Sequence, residues 1–335
     1  MRQKFFCRVL FFFAACLLTA STASAQEAMS LAAARVASHA FINQGADLAA
    51  WDGLSAALHS RGAFFALGGG KNSYSTATRS YVDLEGLSLI TGVAWKRSRQ
   101  SGELLLAPFV EAGWGSYDSF DCFTSYGVNA NGDTSYFGGG LMVRYDLRGG
   151  TYFEASGRAG SAKLDYSSRE LRNDYRNGRA EYDVTSAYYG AHAGVGRVWS
   201  INEKASFDFY VKYFWSRQEG KTVYVANDPT GGPTQFMDMN SHRLRFGGRL
   251  TFAVNERFSP YVGAAYEYEF DGRSKAHAFG QNFDAAEITG GSGIGELGFS
   301  VKPSQNSPIS IDFGLQGYTG QREGVSGKLR FTYEF

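Results

Sequence analysis

The last eight residues of the chain, 328–335, alternate strictly between apolar and polar side chains and end on a phenylalanine. The apolar set is Leu329, Phe331, Tyr333 and Phe335. The polar set is Lys328, Arg330, Thr332 and Glu334. Because successive side chains of a strand point to opposite faces, one face here is apolar and the other polar. This pattern fits a barrel with lipid outside and a wet lumen, although an edge strand of a soluble sandwich could alternate too.

The N-terminus has the three parts of a secretory signal peptide. Its positive charges are Arg2, Lys4 and Arg8. An apolar core from Val9 to Leu18 follows, and Ala23-Ser24-Ala25 then offers a cleavage site. The core is shorter than the roughly 20 residues of a spanning helix. We therefore predict that residues 1–25 are a signal peptide; a lipoprotein signal ending at Cys16 is the weaker alternative, because apolar residues continue after it.

Composition favours strands and turns over helices. Aromatic residues make up 16 % of the chain, and there are 42 glycines but only 6 prolines. A net charge of +1 argues against nucleic-acid binding, which needs a concentrated basic face. Cys7 and Cys16 would leave with the signal, so Cys122 would remain without a partner for a disulfide within the chain.

From about Arg61 onward, twelve segments have the period-two pattern of strands. Short connections between them are predicted at Lys96–Gly102, Arg148–Gly150, Ile201–Lys204, Asn255–Arg257 and Pro303–Pro308. Longer polar connections are predicted near Asp118–Asp133, Asp165–Val184, Gln218–Met239 and Asp271–Phe283. Outer-membrane barrels alternate short periplasmic turns with long external loops. We therefore predict an all-β fold, a twelve-stranded antiparallel up-and-down transmembrane barrel over residues 61–335, located in the outer membrane.

Four tryptophans fall at predicted strand ends. Trp95 and Trp199 lie beside short connections, whereas Trp114 and Trp215 lie beside long ones. Amphipathic aromatic rings anchor barrels at the two bilayer interfaces. The four are therefore predicted to form an interface girdle, with core positions as the alternative.

Charged residues are also predicted to be organised in the lumen. Antiparallel pairing around a turn near Glu256 sets Arg245 opposite Glu267 and Arg243 opposite Glu269. Opposite charges across a ladder attract and help to fix register. The simpler interpretation is that these charges only keep the strands soluble.

A short helical segment, residues 26–60, precedes the barrel. Glu27–Leu48 is rich in alanine and predicts a helix with an interruption at Gly45. A helix is about 10–12 Å wide, and a twelve-stranded barrel encloses more room than the eight-stranded barrels that side chains just fill. We predict that this helix plugs the pore; a disordered periplasmic tail is the alternative.

Several phrases resemble the C-terminal translocator barrel of autotransporters, the type V secretion proteins. They are YFGGGLMVRY at 136–145, AYYGAHAGVG at 187–196, DFYVKYFWSRQEG at 208–220, SHRLRFGGR at 241–249, SPYVGAAYEYEFDGR at 259–273, GIGELGF at 293–299 and GYTGQREGVSG at 317–327. The terminal residues Phe331, Tyr333 and Phe335 are similar to the family's assembly signal. The resemblance implies a pore helix, a monomer, and contacts with outer-membrane lipid, lipopolysaccharide, the barrel-assembly machinery and periplasmic chaperones.

The chain departs from this family pattern in one respect. Family members normally carry a passenger of hundreds of residues, whereas only about 35 residues separate Gln26 from the first predicted strand. Asn43 is followed by Gln44, so the Asn-Asn dipeptide that some relatives cleave is missing here. We expect a non-enzymatic translocator or surface-display unit without a sizeable passenger in this chain. A stand-alone outer-membrane pore or adhesin is the alternative.

The sequence gives little indication of catalysis. The histidines, His39, His59, His192, His242 and His277, are scattered without zinc spacing. His192 has inward parity, but pairing arithmetic suggests no serine and acid beside it. Loop acids such as Asp118, Asp121 and Asp133 leave an outer-membrane hydrolase as a minor alternative. We predict no catalytic residue, no metal and no cofactor.

Overall fold

The computed structural model describes residues 29–50, 60–77, 79–122, 127–171, 178–227, 232–278 and 280–335. Helix α1 covers residues 29–49. The strands are β1 Arg61–Ala77, β2 Ser80–Arg99, β3 Gly102–Cys122, β4 Gly127–Leu147, β5 Thr151–Ser168, β6 Ala180–Asn202, β7 Ala205–Gln218, β8 Lys221–Tyr224, β9 Pro233–Phe236, β10 Met239–Phe252, β11 Phe258–Glu269, β12 Arg273–Ala278, β13 Gln281–Glu287, β14 Gly290–Val301, β15 Ile309–Gly320 and β16 Arg322–Glu334. The predicted signal peptide, and residues 26–28 and 51–59 of the predicted helical segment, lie outside the described residues.

Within the described ranges, twelve strands close into one antiparallel barrel with the order β1-β16-β15-β14-β11-β10-β7-β6-β5-β4-β3-β2. The first and last strands pair along their length, with Gly62 opposite Glu334 and Phe65 opposite Phe331. This closure gives every barrel strand two neighbours, which is what backbone groups need in a bilayer. The predicted twelve-stranded barrel is confirmed. Among the described residues, no helix is long and apolar enough to cross a bilayer.

The two faces of the barrel wall differ in the way that the terminal alternation predicts. On β16, the polar residues Lys328, Arg330 and Thr332 are buried inside the barrel. Phe331 and Tyr333 alternate with them and are exposed on the outside. Strand parity therefore separates a polar lumen from an apolar outer wall.

The barrel has two unlike ends. The rim that carries the start of β1 and the end of β16 also has five short connections, including residues 100–101 and 203–204; we call it the terminal rim. The opposite end, the loop rim, carries the longer connections. Two connections at the loop rim are also tight, because β2 begins at Ser80 after Ala77 and β16 begins at Arg322 after Gly320. The strict alternation of short and long connections was therefore wrong at these two places.

The predicted long loops are also more ordered than expected. Most of Asp118–Asp133 belongs to β3 and β4, and β5 and β6 take the ends of Asp165–Val184. These strands continue past the apolar wall with polar residues on their outer face. The alternation of apolar and polar residues therefore ends several residues before each strand ends. The other two connections contain the hairpins β8–β9 and β12–β13. They pair into a four-stranded sheet with the order β13-β12-β9-β8, which we call the cap sheet.

Candidate functional site in the barrel lumen

Helix α1 lies inside the barrel with its N-terminal end at the loop rim. At that end Ser30 Oγ donates a 3.0 Å hydrogen bond to Asp121 Oδ2 near the end of β3. At the other end Lys212 Nζ, on β7, donates to the backbone oxygen of Ala50 at 2.8 Å. Cationic groups near a helix C-terminus complement its dipole. The helix therefore runs from the loop rim into the interior, and β1 begins with Arg61 at the terminal rim.

The cap sheet covers the first turns of α1. Ser274 Oγ, on β12, donates to the backbone oxygen of Ala32 at 2.6 Å. Arg35 is almost fully buried, and its guanidinium lies 5.5 Å from the ring centroid of Phe236 on β9. The same guanidinium donates to the backbone oxygens of Met237 and Glu219, which flank β8 and β9 in the sequence, at 2.5 and 2.8 Å. One side chain of the helix thus ties the cap sheet to the plug.

Small residues allow the helix to fit. Four alanines of α1 are completely buried, namely Ala32, Ala33, Ala34 and Ala37. The ring of Phe41 lies against a part of the wall where glycines leave room for it. A Cβ added at Gly86 would lie 2.7 Å from this ring, and one at Gly113 would lie 3.0 Å from it. Such distances are too short for carbon atoms, so the wall and the helix fit each other closely.

Gly45 does not interrupt the helix, and the predicted interruption was wrong. Residues 29–49 are continuous helix through this position. A Cβ on Gly45 would overlap the hydroxyl of Tyr136 and lie 2.9 Å from Arg158 Nη1. The glycine is therefore explained by the close approach of the wall rather than by a break in the helix.

Asp47 is the main electrostatic contact between the helix and the wall. Its carboxylate lies 2.9 Å from Arg243, 2.8 Å from Arg245 and 2.9 Å from Arg322. Lys328 Nζ also donates to the backbone oxygen of Asp47 at 3.4 Å. All of these side chains are buried, where an unpaired charge is strongly unfavourable. Asp47 was not predicted as a contact residue, because its partners lie about 200 residues or more further along the chain.

The four charges predicted to face the lumen lie together on β10 and β11. The register sets Arg243 opposite Glu269 and Arg245 opposite Glu267. Glu267 accepts from Arg245 at 2.6 Å and from Arg243 at 3.3 Å. Glu269 instead accepts hydrogen bonds from Ser241 Oγ and from the backbone N–H of His242. The arginines therefore bridge two carboxylates, one on the wall and one on the helix.

A second polar contact holds the middle of the helix. Arg158 donates to the backbone oxygen of Ile42 in α1 and, at 2.6 Å, to Glu111 Oε2 on β3. Tyr188 Oη donates to the other oxygen of Glu111 at 2.7 Å. The guanidinium and the carboxylate are almost fully buried, and both have partners.

A serine and an acid lie beside His192, contrary to the prediction from strand pairing. These residue types bear on the hydrolase alternative. The β5–β6 register sets Ser156 opposite His192, and Ser156 Oγ shares a hydrogen bond with His192 Nδ1. His192 Nε2 lies 3.5 Å from Glu154 Oε1. However, Glu154 is also paired with Lys212 at 2.7 Å and Arg144 at 3.3 Å.

The Ser156 cluster therefore has the residue types of a hydrolase triad without the rest of an active site. Strand β5 is paired on both edges, so the backbone N–H groups beside Ser156 belong to ladders rather than to an oxyanion hole. In the described ranges, no group of His, Cys, Asp and Glu side chains has the geometry to hold a metal ion.

The predicted interface residues lie on the outer wall. Trp95, Trp114 and Trp199 are exposed, and Trp215 is partly exposed on the outward parity of β7. Trp199 stacks on Phe207 across the β6–β7 pair, with ring centroids 6.2 Å apart. Their contact with lipid headgroups stays a prediction.

The terminal residue lies where the barrel closes. The backbone N–H of Phe335 donates to the backbone oxygen of Arg61 at 3.1 Å, and the Arg61 guanidinium lies 5.7 Å from its ring centroid. Phe335 is thus bound to the first residue of β1. Its role as an assembly signal stays a prediction.

A closed twelve-stranded barrel with an apolar outer wall and a helix in its polar lumen has the architecture of an outer-membrane β-barrel. The chain belongs to the autotransporter family, because the model of the autotransporter β-domain matches residues 62–314. Barrel domains of this family reside in the outer membrane and are typically non-catalytic transporters. No curated protein shows significant sequence similarity to the chain.

Solved translocator structures share the fold. The translocator domain of NalP from Neisseria meningitidis has a TM-score of 0.70 at 16 % identity, over 90 % of this chain and 98 % of that one. The transport unit of AIDA-I from Escherichia coli gives 0.61 at 16 %, over 89 % and 98 %. The β domain of the Bordetella autotransporter BrkA gives 0.61 at 14 %, over 83 % and 100 %.

Proposed function

We propose that this chain is a translocator or surface-display barrel, with the loop rim facing the cell exterior. The observation that carries the proposal is the direction of α1. Its N-terminal end is held at the loop rim by Ser30, whereas β1 begins at the opposite rim with Arg61. The helix therefore lies in the lumen with its N-terminus toward the loop rim, opposite to the rim where β1 begins. Polypeptide attached ahead of the helix would be led out of the pore and displayed outside.

The same contacts support a closed resting state. The helix is anchored at three levels: through Arg35 at the cap sheet, through Arg158 at its middle, and through Asp47 near its C-terminus. The first level joins α1 to the cap sheet, and the other two join it to different parts of the wall. Such a plug would keep small solutes from leaking after translocation, because a helix with its side chains is about 10–12 Å wide.

An epitope tag tests the direction of the chain. We would insert it at Gln26, ahead of α1, and in a matched variant between Glu203 and Lys204 at the terminal rim. Antibody should label intact cells that carry the first insertion and should require permeabilised cells for the second. Labelling of the Gln26 insertion only after permeabilisation would contradict the translocator proposal.

Conductance tests the plug and separates it from the stand-alone pore. The mature barrel should conduct poorly in planar bilayers, and deletion of residues 26–50 should open it. A large conductance in the parent, unchanged by this deletion, would favour the stand-alone pore instead.

A further inference from the structure

A cleft of about 760 Å³ opens on the outside of the barrel, where the cap sheet joins β7, β10 and β11. It is separate from the lumen, because its side chains are on the outer faces of these strands. Six of the polar residues that line it are Lys221, Thr222, Gln235, Asn240, Arg273 and Lys275. Among the described residues, none of these six forms a hydrogen bond or an ion pair with α1.

The cleft begins where the aromatic outer wall ends. On β7, Trp215 is followed on the same face by Arg217. After β11, the exposed ring of Phe270 precedes Arg273, and it packs on Tyr268 with centroids 4.8 Å apart. Amphipathic aromatic rings mark the level at which acyl chains give way to headgroups. The cleft is therefore at headgroup height at the loop rim.

Three cations, Lys221, Arg273 and Lys275, line this opening together with two carboxylates, Asp238 and Asp271, and Asp238 is paired with Arg217. Lys221 is exposed, and the described residues include no ion-pair partner for it. The side chain of Arg273 is 48 % exposed and lies 3.5 Å from Asp271 and 3.9 Å from Glu287. The side chain of Lys275 is 44 % exposed and lies 3.5 Å from Asp284. Exposed pairs at such distances are weak. Arginine and lysine also form charge-assisted hydrogen bonds to phosphate, so a phosphate can compete with these weak pairs.

Neutral polar groups lie beside the cations. Thr222, Gln235 and Asn240 line the same cleft and supply both donors and acceptors. We propose that the cleft binds the phosphorylated sugar headgroup of an outer-leaflet glycolipid, with its acyl chains on the wall formed by Trp215, Tyr268 and Phe270. The cations bind the phosphates, and the neutral side chains bind sugar hydroxyls. The proposal rests on the orientation given above, in which the loop rim faces outward.

The test compares lipid binding by the full barrel in detergent, measured by native mass spectrometry. The variant is Lys221→Ala/Arg273→Ala/Lys275→Ala, and the matched control is Lys163→Ala on the outside of β5, whose side chain is 51 % exposed. Heat-modifiable gel mobility first shows that each protein is folded. Bisphosphorylated lipid A should bind the parent and Lys163→Ala equally, and the triple variant about tenfold or more weakly.

Two further arms identify the chemistry that is bound. Dephosphorylated lipid A should bind the parent about tenfold or more weakly than the bisphosphorylated form. Inorganic phosphate at millimolar concentration should not displace the lipid. Equal binding to the triple variant, an equal loss in Lys163→Ala, or equal binding of the dephosphorylated lipid would each overturn the proposal. Displacement by inorganic phosphate would assign the cleft to a free anion instead. The epitope experiment tests the orientation separately, so the two failures can be told apart.

Discussion

The carboxylate of Asp47 and the guanidinium of Arg322 lie 2.9 Å apart, although 275 residues separate them in the sequence. This contact joins the plug helix to the first residue of the last strand. The same carboxylate also binds Arg243 and Arg245 on β10. One side chain of α1 therefore holds two distant parts of the wall, and its charge compensates three buried cations.

We expect Asp47→Asn to release the helix. The substitution keeps the size of the side chain but leaves Arg243, Arg245 and Arg322 with Glu267 as their nearest compensating charge. Removing one partner of a buried ion pair costs about 3–5 kcal/mol. Conductance in planar bilayers should rise, and the amides of α1 should exchange with deuterium faster. Unchanged conductance and exchange would show that packing alone holds the plug.

The control for this variant is Asp312→Asn. Asp312 pairs with Arg330 at 3.3 Å, and both lie on the wall, on neighbouring strands. Its loss should lower the thermal stability of the barrel without opening the pore. If it opened the pore as far as Asp47→Asn does, a general weakening of the barrel would explain both results.

We expect Gly45→Ala to destabilise the plug, although the same change in an ordinary helix is stabilising. Alanine has a helix propensity about 1 kcal/mol better than glycine. Here the new methyl group would overlap the Tyr136 hydroxyl, and overpacking costs about 1–3 kcal/mol. Thermal unfolding should show the net loss. The double variant Gly45→Ala/Tyr136→Phe should recover part of it, and no recovery would contradict this steric cause.

Arg35→Ala should loosen the cap sheet without opening the part of the lumen that Asp47 and the C-terminal half of α1 fill. It removes the two hydrogen bonds to the backbone oxygens of Glu219 and Met237. Trypsin added to intact cells should then cut at Lys221 faster than in the parent, whereas conductance should stay low, because Asp47 still holds the helix. Lys163→Ala, which removes an exposed cation from the outside of β5 away from this hairpin, is the control. Equal protection of the parent and Arg35→Ala would contradict the role of Arg35.

The wall of the barrel could be predicted from the sequence because it depends on local periodicity. Strand parity identified the outward Phe331 and the lumenal Arg330, and turn arithmetic gave the register of Arg243 and Glu269. The fit between helix and wall could not be found in this way. Phe41 contacts Gly86 and Gly113, and nothing in the local pattern of any of the three indicates the others. Contacts of this kind depend on how the closed barrel places its inner surface around the helix.

The ordered loops were missed for a related reason. Period two is visible in a strand only when one face is apolar. Beyond the apolar wall, the outer faces of β3 and β4 are polar, and residues such as Asp118 and Asn131 looked like loop. Val128 and Ala130 on the inner face are buried in the cluster around the helix, but polar residues on both faces obscure the alternation there. The cap sheet was missed because its strands are short, with only four residues in each of β8 and β9.

Deletion of Phe335 should impair assembly more than the loss of an equally exposed apolar residue elsewhere. The terminal residue is bound to Arg61 by a 3.1 Å backbone hydrogen bond, so it completes the seam between the first and last strands. By family resemblance, the assembly machinery also recognises the end of this strand. Val254→Ala, an exposed apolar position at the same rim, is the matched control. The yield of heat-modifiable barrel in outer-membrane fractions should fall sharply for the deletion and stay near the parent level for Val254→Ala. Equal yields of the deletion and the parent would show that closure and assembly do not depend on this residue.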